Sequence, residues 1–279
     1  APPHVTPRAA HRDAPGQAKT LEIGRDQGTG ERLAVDPVRD PPTAMRRRDL
    51  DIAKIDCRER APVERRWFED TDPAADEGTA GAVEIIVADD GSTDATAAIA
   101  RSYGDRVRYD FAPHAGGAQA LNRGIALAQR PLIAFLDADD VWLGDKLALQ
   151  LAVLNAQPEV ALVFGHMVQF VSPELSEADQ ARWAVSSEPL PGRSMSALLA
   201  RREVFDRVGP LATDLRTGWF IDWSMRAKDL GVVDVMLPEV VVHRRIHGQN
   251  LGLRDPDGRS DYLAVVRRNL ARRRAGRGP

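Results

Sequence analysis

Two short apolar runs, each ending in a burst of carboxylates, limit what this chain can fold into more than any other feature. Val83-Glu84-Ile85-Ile86-Val87-Ala88 leads into Asp89-Asp90-Gly91-Ser92, and Leu132-Ile133-Ala134-Phe135-Leu136 leads into Asp137-Ala138-Asp139-Asp140. Runs of this length, rich in branched and aromatic residues and closed by turn formers, are the pattern of strands buried on both faces. Segments of helical length separate and follow them. Ser92 or Thr93 can cap one that reaches Ser102-Tyr103, residues 116–128 read as another, and Asp145 can cap a third over residues 146–156. Residues 107–111 and 160–164 read as further strands. Strands alternating with helices predict an α/β domain with a mostly parallel sheet flanked by helices.

The second half has a weaker pattern. Residues 174–183, 202–208 and 218–230 read as helices, the last carrying Trp219, Asp222 and Trp223. Residues 195–200, 232–236 and 240–244 read as extended. Upstream of Val83 the longest apolar run is Leu33-Ala34-Val35, among prolines, glycines and charges. Such a stretch buries too little apolar surface to offset the entropy of ordering it. The expected organisation is therefore a disordered or non-native segment at 1–82, a folded domain at 83–252, and a basic tail at 253–279, helical or disordered.

Composition removes several function classes. A net charge of −3 and a pI near 6.1 give no case for nucleic-acid binding. A single cysteine, Cys57, excludes an internal disulfide framework and suits a reducing cytoplasm. No apolar run approaches the roughly 18 residues needed to span a bilayer, and the first residues lack a signal-peptide pattern. The expectation is a cytoplasmic protein whose arginine-rich tail can meet an anionic membrane surface or simply face solvent.

In parallel α/β sheets, ligands sit outside the carboxyl ends of the strands. Five acids, Asp89, Asp90, Asp137, Asp139 and Asp140, then share one sheet edge, where like charges raise one another's pKa unless a cation neutralises them. A divalent cation with a bound diphosphate is the simplest answer, since magnesium typically takes one or two carboxylates plus phosphate oxygens. An EF-hand counted from Asp137 fails, because its sixth and twelfth positions are Trp142 and Ala148. Neither a Walker A loop nor the G-x-G-x-x-G spacing occurs. Either acidic turn alone could merely cap a helix; the two in this order point to a ligand site.

Asp89-Asp90-Gly91-Ser92-Thr93-Asp94, Asn122-Arg123-Gly124-Ile125 and Phe135-Leu136-Asp137-Ala138-Asp139-Asp140-Val141-Trp142 resemble, in order and spacing, family 2 glycosyltransferases of the GT-A fold, from Val83 to Asn250. The resemblance implies an inverting, metal-dependent transfer of sugar from a UDP- or GDP-linked donor to an acceptor hydroxyl not identified by the sequence. It implies that Asp89 or Asp90 contacts the base or ribose, that Asn122 belongs to the nucleotide-sugar site, and that Asp137 lies near the ribose. Asp139 would hold Mg2+ or Mn2+, with His247 approaching the metal, and Asp222 would be the catalytic base.

Other readings stay open at this stage. Trp219 and Trp223, at i and i+4, fit a core face or an acceptor wall. Asp222 fits a solvated helix position, and His247 a structural hydrogen bond. A nucleotidyltransferase of related fold and a catalytically impaired nucleotide-sugar-binding or scaffold protein are the alternative functions. A processive synthase is not expected without a Gln-x-x-Arg-Trp motif. Three departures from the family stand out. Ile221 replaces an acid, Leu121 replaces an arginine, and no apolar strand with a proline-asparagine turn precedes Val83. The last predicts a sheet lacking its central strand, as if a mis-set start or frameshift had replaced the segment.

Overall fold

The computed structural model describes residues 50–57, 83–183, 185, 188–247, 250 and 259–275, all within one of the chain's two units, Thr43–Pro279. The strands are β1 (Leu50–Cys57), β2 (Val83–Asp90), β3 (Val107–Phe111), β4 (Leu132–Asp137), β5 (Val141–Trp142), β6 (Val160–Val171), β7 (Leu190–Pro191), β8 (Leu199–Arg201) and β9 (Val233–Ile246). The helices are α1 (Thr96–Ser102), α2 (Gly117–Leu127), α3 (Lys146–Ala156), α4 (Glu177–Arg182), α5 (Glu203–Val208), α6 (Trp219–Asp229) and α7 (Arg259–Ala275).

The described strands form one sheet in the order β3-β2-β1-β4-β8-β6-β9-β5, with β7 beside β6. The expected missing strand is present. β1 lies in parallel register between β2, from Leu50↔Val83 to Cys57↔Asp90, and β4, from Leu50↔Leu132 to Ile55↔Asp137. The sequence hid it because Asp51, Lys54 and Asp56 interrupt the apolar run that marks a central strand. The backbone amides and carbonyls nonetheless pair on both sides, a requirement independent of side-chain type. The folded domain therefore begins upstream of Val83.

The sheet is mixed rather than mostly parallel. β1 pairs parallel with β2 and β4, as do β2 with β3 and β6 with β9. The other four pairings are antiparallel. β4 ends at Asp137 and β5 begins at Val141, so one short turn joins a middle strand to the sheet's far edge.

Alternation along β2 and β4 builds a core on each face. Ile85, Val87, Leu132, Ala134 and Leu136 face one cluster, with Leu147, Leu151 and Leu154 of α3. Ile86, Ala88, Ile133 and Phe135 face the other, with Leu121 of α2, Phe205 of α5 and Trp223 of α6. Full burial of such a side chain contributes about 1.5–3 kcal/mol. Several boundaries depart from expectation. α1 starts at Thr96, whose amide donates to Asp94 Oδ1, not at a Ser92 or Thr93 cap. Asp145 sits at the start of α3 without a side-chain cap bond. Residues 195–197 form a 3-10 turn, not a strand.

Residues 232–236 and 240–244 belong to one strand, β9. It continues through Pro238 because the register jumps from Phe164↔Met236 to His166↔Val240. Pro238 lies in that bulge, where a missing amide breaks no ladder bond. Gly165 sits opposite, where a Cβ would lie 2.5 Å from Val241 Cγ1 and 3.1 Å from the Glu239 carbonyl. None of the described helices is long and apolar enough to cross a membrane.

Candidate active site

The first acidic strand end folds its carboxylates inward. Asp89 and Asp90 are both fully buried, so their oxygens need hydrogen-bond partners within the protein. Asp89 Oδ1 accepts the Ser92 amide at 2.7 Å, and its other oxygen accepts the Tyr109 hydroxyl. Two amides donate to Asp90, those of Ala115 and Gly116, each at 2.9 Å, and His114 Nδ1 lies 2.9 Å from Oδ2. Gly91 makes the turn after these acids at φ +88°, with room for a Cβ denied by the His114 amide nitrogen 2.7 Å away. Asp90 thereby fixes the loop that opens α2.

Residues expected on α2 divide. Asn122 exchanges two hydrogen bonds with the Leu211 backbone, donating from Nδ2 and accepting at Oδ1, each at 2.9 Å. It ties α2 to the loop after α5. Leu121 is core, and Arg123 two residues on faces the first strand end. Arg123 Nη2 donates to the Asp89 carbonyl at 2.7 Å and Nε to Asp110 at 2.8 Å.

The second strand end gathers the remaining acids. Asp137, Asp139 and Asp140 each offer an oxygen, all within 4.8 Å of one another. The end of β9 clasps this turn from 100 residues away. His247 Nε2 and Asn250 Nδ2 both lie 3.1 Å from Asp139 Oδ2. Asn250 Oδ1 accepts the His247 amide at 2.6 Å, and Asn250 Nδ2 also donates to the Arg245 carbonyl at 3.1 Å. The Arg245 amide donates to Asp140 Oδ1 at 3.3 Å and its Nε to the Asp139 carbonyl at 3.2 Å. Arg245 also bonds Glu174 at 3.2 Å, whose carboxyl lies below its ordinary range chiefly through the Ser172 hydroxyl. The structure thus unites Asp137, Asp139 and His247 with Asp140, and adds Asn250 and Arg245, which the sequence reading missed. Grouped carboxylate oxygens are the donors that Mg2+ and Mn2+ prefer, so the residues fit such an ion.

A buried polar layer supports the turn. The Asp137 amide donates to Ser196 Oγ at 3.1 Å, and Trp142 Nε1 donates to the Ser196 carbonyl at 2.7 Å. Beneath Trp142 lies Lys146, fully buried, its Nζ 4.4 Å from the ring centroid. Desolvation pushes Lys146 well below the ordinary lysine value.

Asp222 lies in the first turn of α6 and is 3% exposed. One oxygen accepts Arg226 Nε and the other Arg272 Nη1 of α7, each at 3.0 Å. The tail is therefore a helix docked on α6, not a free one. Arg268 bonds Asp214, holding that carboxyl below its ordinary value, and Arg273 bonds Asp229 at 3.2 Å. Asp261 accepts the Arg216 and Thr217 amides at 2.8 and 3.0 Å. Of the two tryptophans, Trp223 is core: it has no exposure, stacks on Phe205 and Phe220, and donates to the Gly209 carbonyl. Trp219 is partly buried against the same cluster and meets Phe220 edge-on.

Comparison with known proteins gives consistent matches. The sequence model of the family described as glycosyl transferase family 2 matches residues 73–212. An uncharacterized glycosyltransferase of Rickettsia typhi is 29% identical over 178 residues, covering 59% of this chain and 55% of that protein. A validoxylamine A glucosyltransferase of Streptomyces hygroscopicus is 40% identical over 101 residues, 33% of this chain and 24% of the relative. The chain thus spans little more than half of the first relative's length. Among solved structures, residues 1–349 of S. aureus TarS superpose with a TM-score of 0.56 at 14% identity, covering 80% of this chain and 64% of that one. Glucosyl-3-phosphoglycerate synthase from Mycobacterium tuberculosis, in complex with Mn2+, UDP-glucose and phosphoglyceric acid, gives 0.54 at 19% identity, covering 80% and 79%. At these identities the likeness is one of fold, and that fold is GT-A.

Proposed function

This chain belongs to glycosyl transferase family 2, and from that premise we propose that it transfers a sugar from a nucleoside-diphosphate donor to an acceptor hydroxyl with inversion, using Mg2+ or Mn2+. The observation that carries the reading is the cluster of Asp137, Asp139 and Asp140 under the His247–Asn250 clasp. Asp139 would hold the ion, with His247 beside it. When bound, the ion would stabilise charge on the departing diphosphate. Solved structures of the same fold, recorded with Mn2+ and either UDP-glucose or GDP-mannose, support a UDP- or GDP-linked donor.

The chain's own residues supply the rest. Asp89 and Asp90 shape the base end of the pocket through Arg123 and the His114–Gly116 loop, and Asp137 lies at the ribose. Asp222 accepts the acceptor's proton as its oxygen attacks the anomeric carbon, and the carbon–oxygen bond to the diphosphate breaks with its electrons going to the leaving group. A single displacement inverts that carbon. Asp222 is 3% exposed and each oxygen already accepts a guanidinium N–H, so an acceptor hydroxyl reaches its remaining lone pairs only if that packing opens. That double clasp favours a second reading, a protein that binds nucleotide sugar without turning it over. The lone thiol of Cys57 supports a cytoplasmic setting.

Calorimetry of the full chain with UDP-glucose and GDP-mannose, with and without Mn2+, tests the proposal alongside release of nucleoside diphosphate. Metal-dependent binding with release supports the transferase, and binding without release supports the second reading. Absence of binding, with the fold intact by circular dichroism, refutes both.

A further inference from the structure

Lys146 has no accessible surface, and the proposed chemistry does not use it. Its Nζ donates to Gln150 Oε1 at 2.7 Å and to the Leu198 carbonyl at 3.2 Å, under the Trp142 ring. Gln150, equally buried, donates from Nε2 to the carbonyls of Val163 and Ala197, both at 2.8 Å. Trp142 holds the preceding carbonyl, Ser196. Three successive carbonyls, Ser196, Ala197 and Leu198, are therefore each gripped by one side chain from residues 142–150. The Ser196 hydroxyl, at the head of that row, receives the Asp137 amide.

Filling space does not explain a lysine here. Burying an ammonium is unfavourable unless it is fully bonded, and an apolar side chain of the same length would fill the volume without that penalty. What the lysine and its partners do is lock a turn that is hydrogen-bonded to the acid loop through Ser196 Oγ. Metal ligands need their supporting groups fixed to within about 0.5 Å, and removing such support typically weakens binding about 10–100-fold.

The geometry points to Lys146 as a positioning residue: through Trp142 and the 195–197 turn it sets the Asp137–Asp140 carboxylates for a divalent cation and the diphosphate it carries. This rests on the metal-and-donor reading above. A second consequence is that Trp142 and Lys146 act as one unit, because they grip carbonyls of the same 196–198 run and their side chains stack on each other.

The test measures the affinity of the full chain for Mn2+ in the presence of UDP, together with thermal melting. Lys146→Met is expected to weaken binding about tenfold or more. Leu154→Ala, a cavity at the far end of the same helix, lowers the melting temperature at least as far but leaves the affinity unchanged. Trp142→Phe keeps a smaller aromatic ring, deletes the bond to Ser196, and weakens binding in the same direction; combining it with Lys146→Met adds little further loss. If Lys146→Met does not fold, Trp142→Phe against Leu154→Ala decides the matter. The inference is overturned if Lys146→Met or Trp142→Phe binds like the unaltered chain, or if Leu154→Ala weakens binding equally. Failure of the unaltered chain to bind Mn2+ with UDP overturns the underlying reading instead, and this inference with it.

Discussion

Replacing Asp90 by asparagine changes almost nothing in shape and reverses half of its bonding. Asp90 accepts the Ala115 amide at one oxygen and the Gly116 amide at the other, each at 2.9 Å, with His114 Nδ1 also 2.9 Å from the second. An amide offers one oxygen, so at least one backbone N–H would face an NH2 group with no exposure to water. A hydrogen bond to a charged group contributes about 1.5–3 kcal/mol, and a buried donor left unsatisfied costs about 1–3 kcal/mol. Asp90→Asn should therefore lose about 3–5 kcal/mol of stability. In a domain of this size that lowers the melting temperature on the order of 10 °C. Asp89→Asn is the internal control. Asp89 also accepts two donors, but one is the Tyr109 hydroxyl, which can turn and accept from the new NH2. Its loss should be clearly smaller. Equilibrium urea unfolding followed by tryptophan fluorescence reads both, with Trp223 in the core as reporter. A loss below about 1 kcal/mol for Asp90→Asn would contradict the bonding argument, and so would equal losses for the two variants.

Gly91→Ala should destabilise by about 2–4 kcal/mol, because its φ of +88° disfavours a side chain and its Cβ would press on the His114 amide; a calorimetric melt unchanged from the parent would contradict this. Lys146 gives a pH signature. Desolvation lowers its folded pKa, so between that value and the ordinary 10.5 the unfolded chain binds the extra proton and stability rises with pH. Urea midpoints measured across that alkaline window should climb for the parent and climb less for Lys146→Met. Arg272→Met removes one of two guanidinium groups from Asp222, and hydrogen exchange in residues 259–275 should accelerate; unchanged protection would show that other pairs anchor the helix. Asp139→Ala should abolish Mn2+-dependent UDP binding, with the fold retained by circular dichroism.

The parts of the fold legible in sequence were those whose signal is local. β2 and β4 are continuous apolar runs because both faces are covered, and α3 lies between the residues expected for it. β1 was invisible because what holds it is backbone pairing on both sides, which leaves no trace in side-chain type. β9 looked like two strands because Pro238 usually ends one, and only the partner strand's register reveals the bulge that tolerates it. The site divides in the same way. The acids announced themselves by following apolar runs. Asn250 and Arg272 did not, because their partners lie 111 and 50 residues away and the contact exists only once β9 and α7 have docked. Asp89 and Asp90 were legible as residues but not in orientation: both carboxylates turn toward the protein's own amides and hydroxyl.

The link from β4 to β5 has a mechanical consequence. Four residue steps from Asp137 to Val141 can reach at most about 14 Å. Those strands stand four places apart in the sheet, which laid flat would need about 19 Å. The sheet must therefore curl until its β5 edge swings back toward β4, and the acid turn is the tether that holds it bent. Any breathing of β9 against β4 pulls directly on the spacing of three carboxylates. In the other direction, an ion bridging those carboxylates would shorten the tether's play and damp motion across strands far from the ligand. Hydrogen exchange along β6 and β9 should then report occupancy of a site that those strands touch only at their ends.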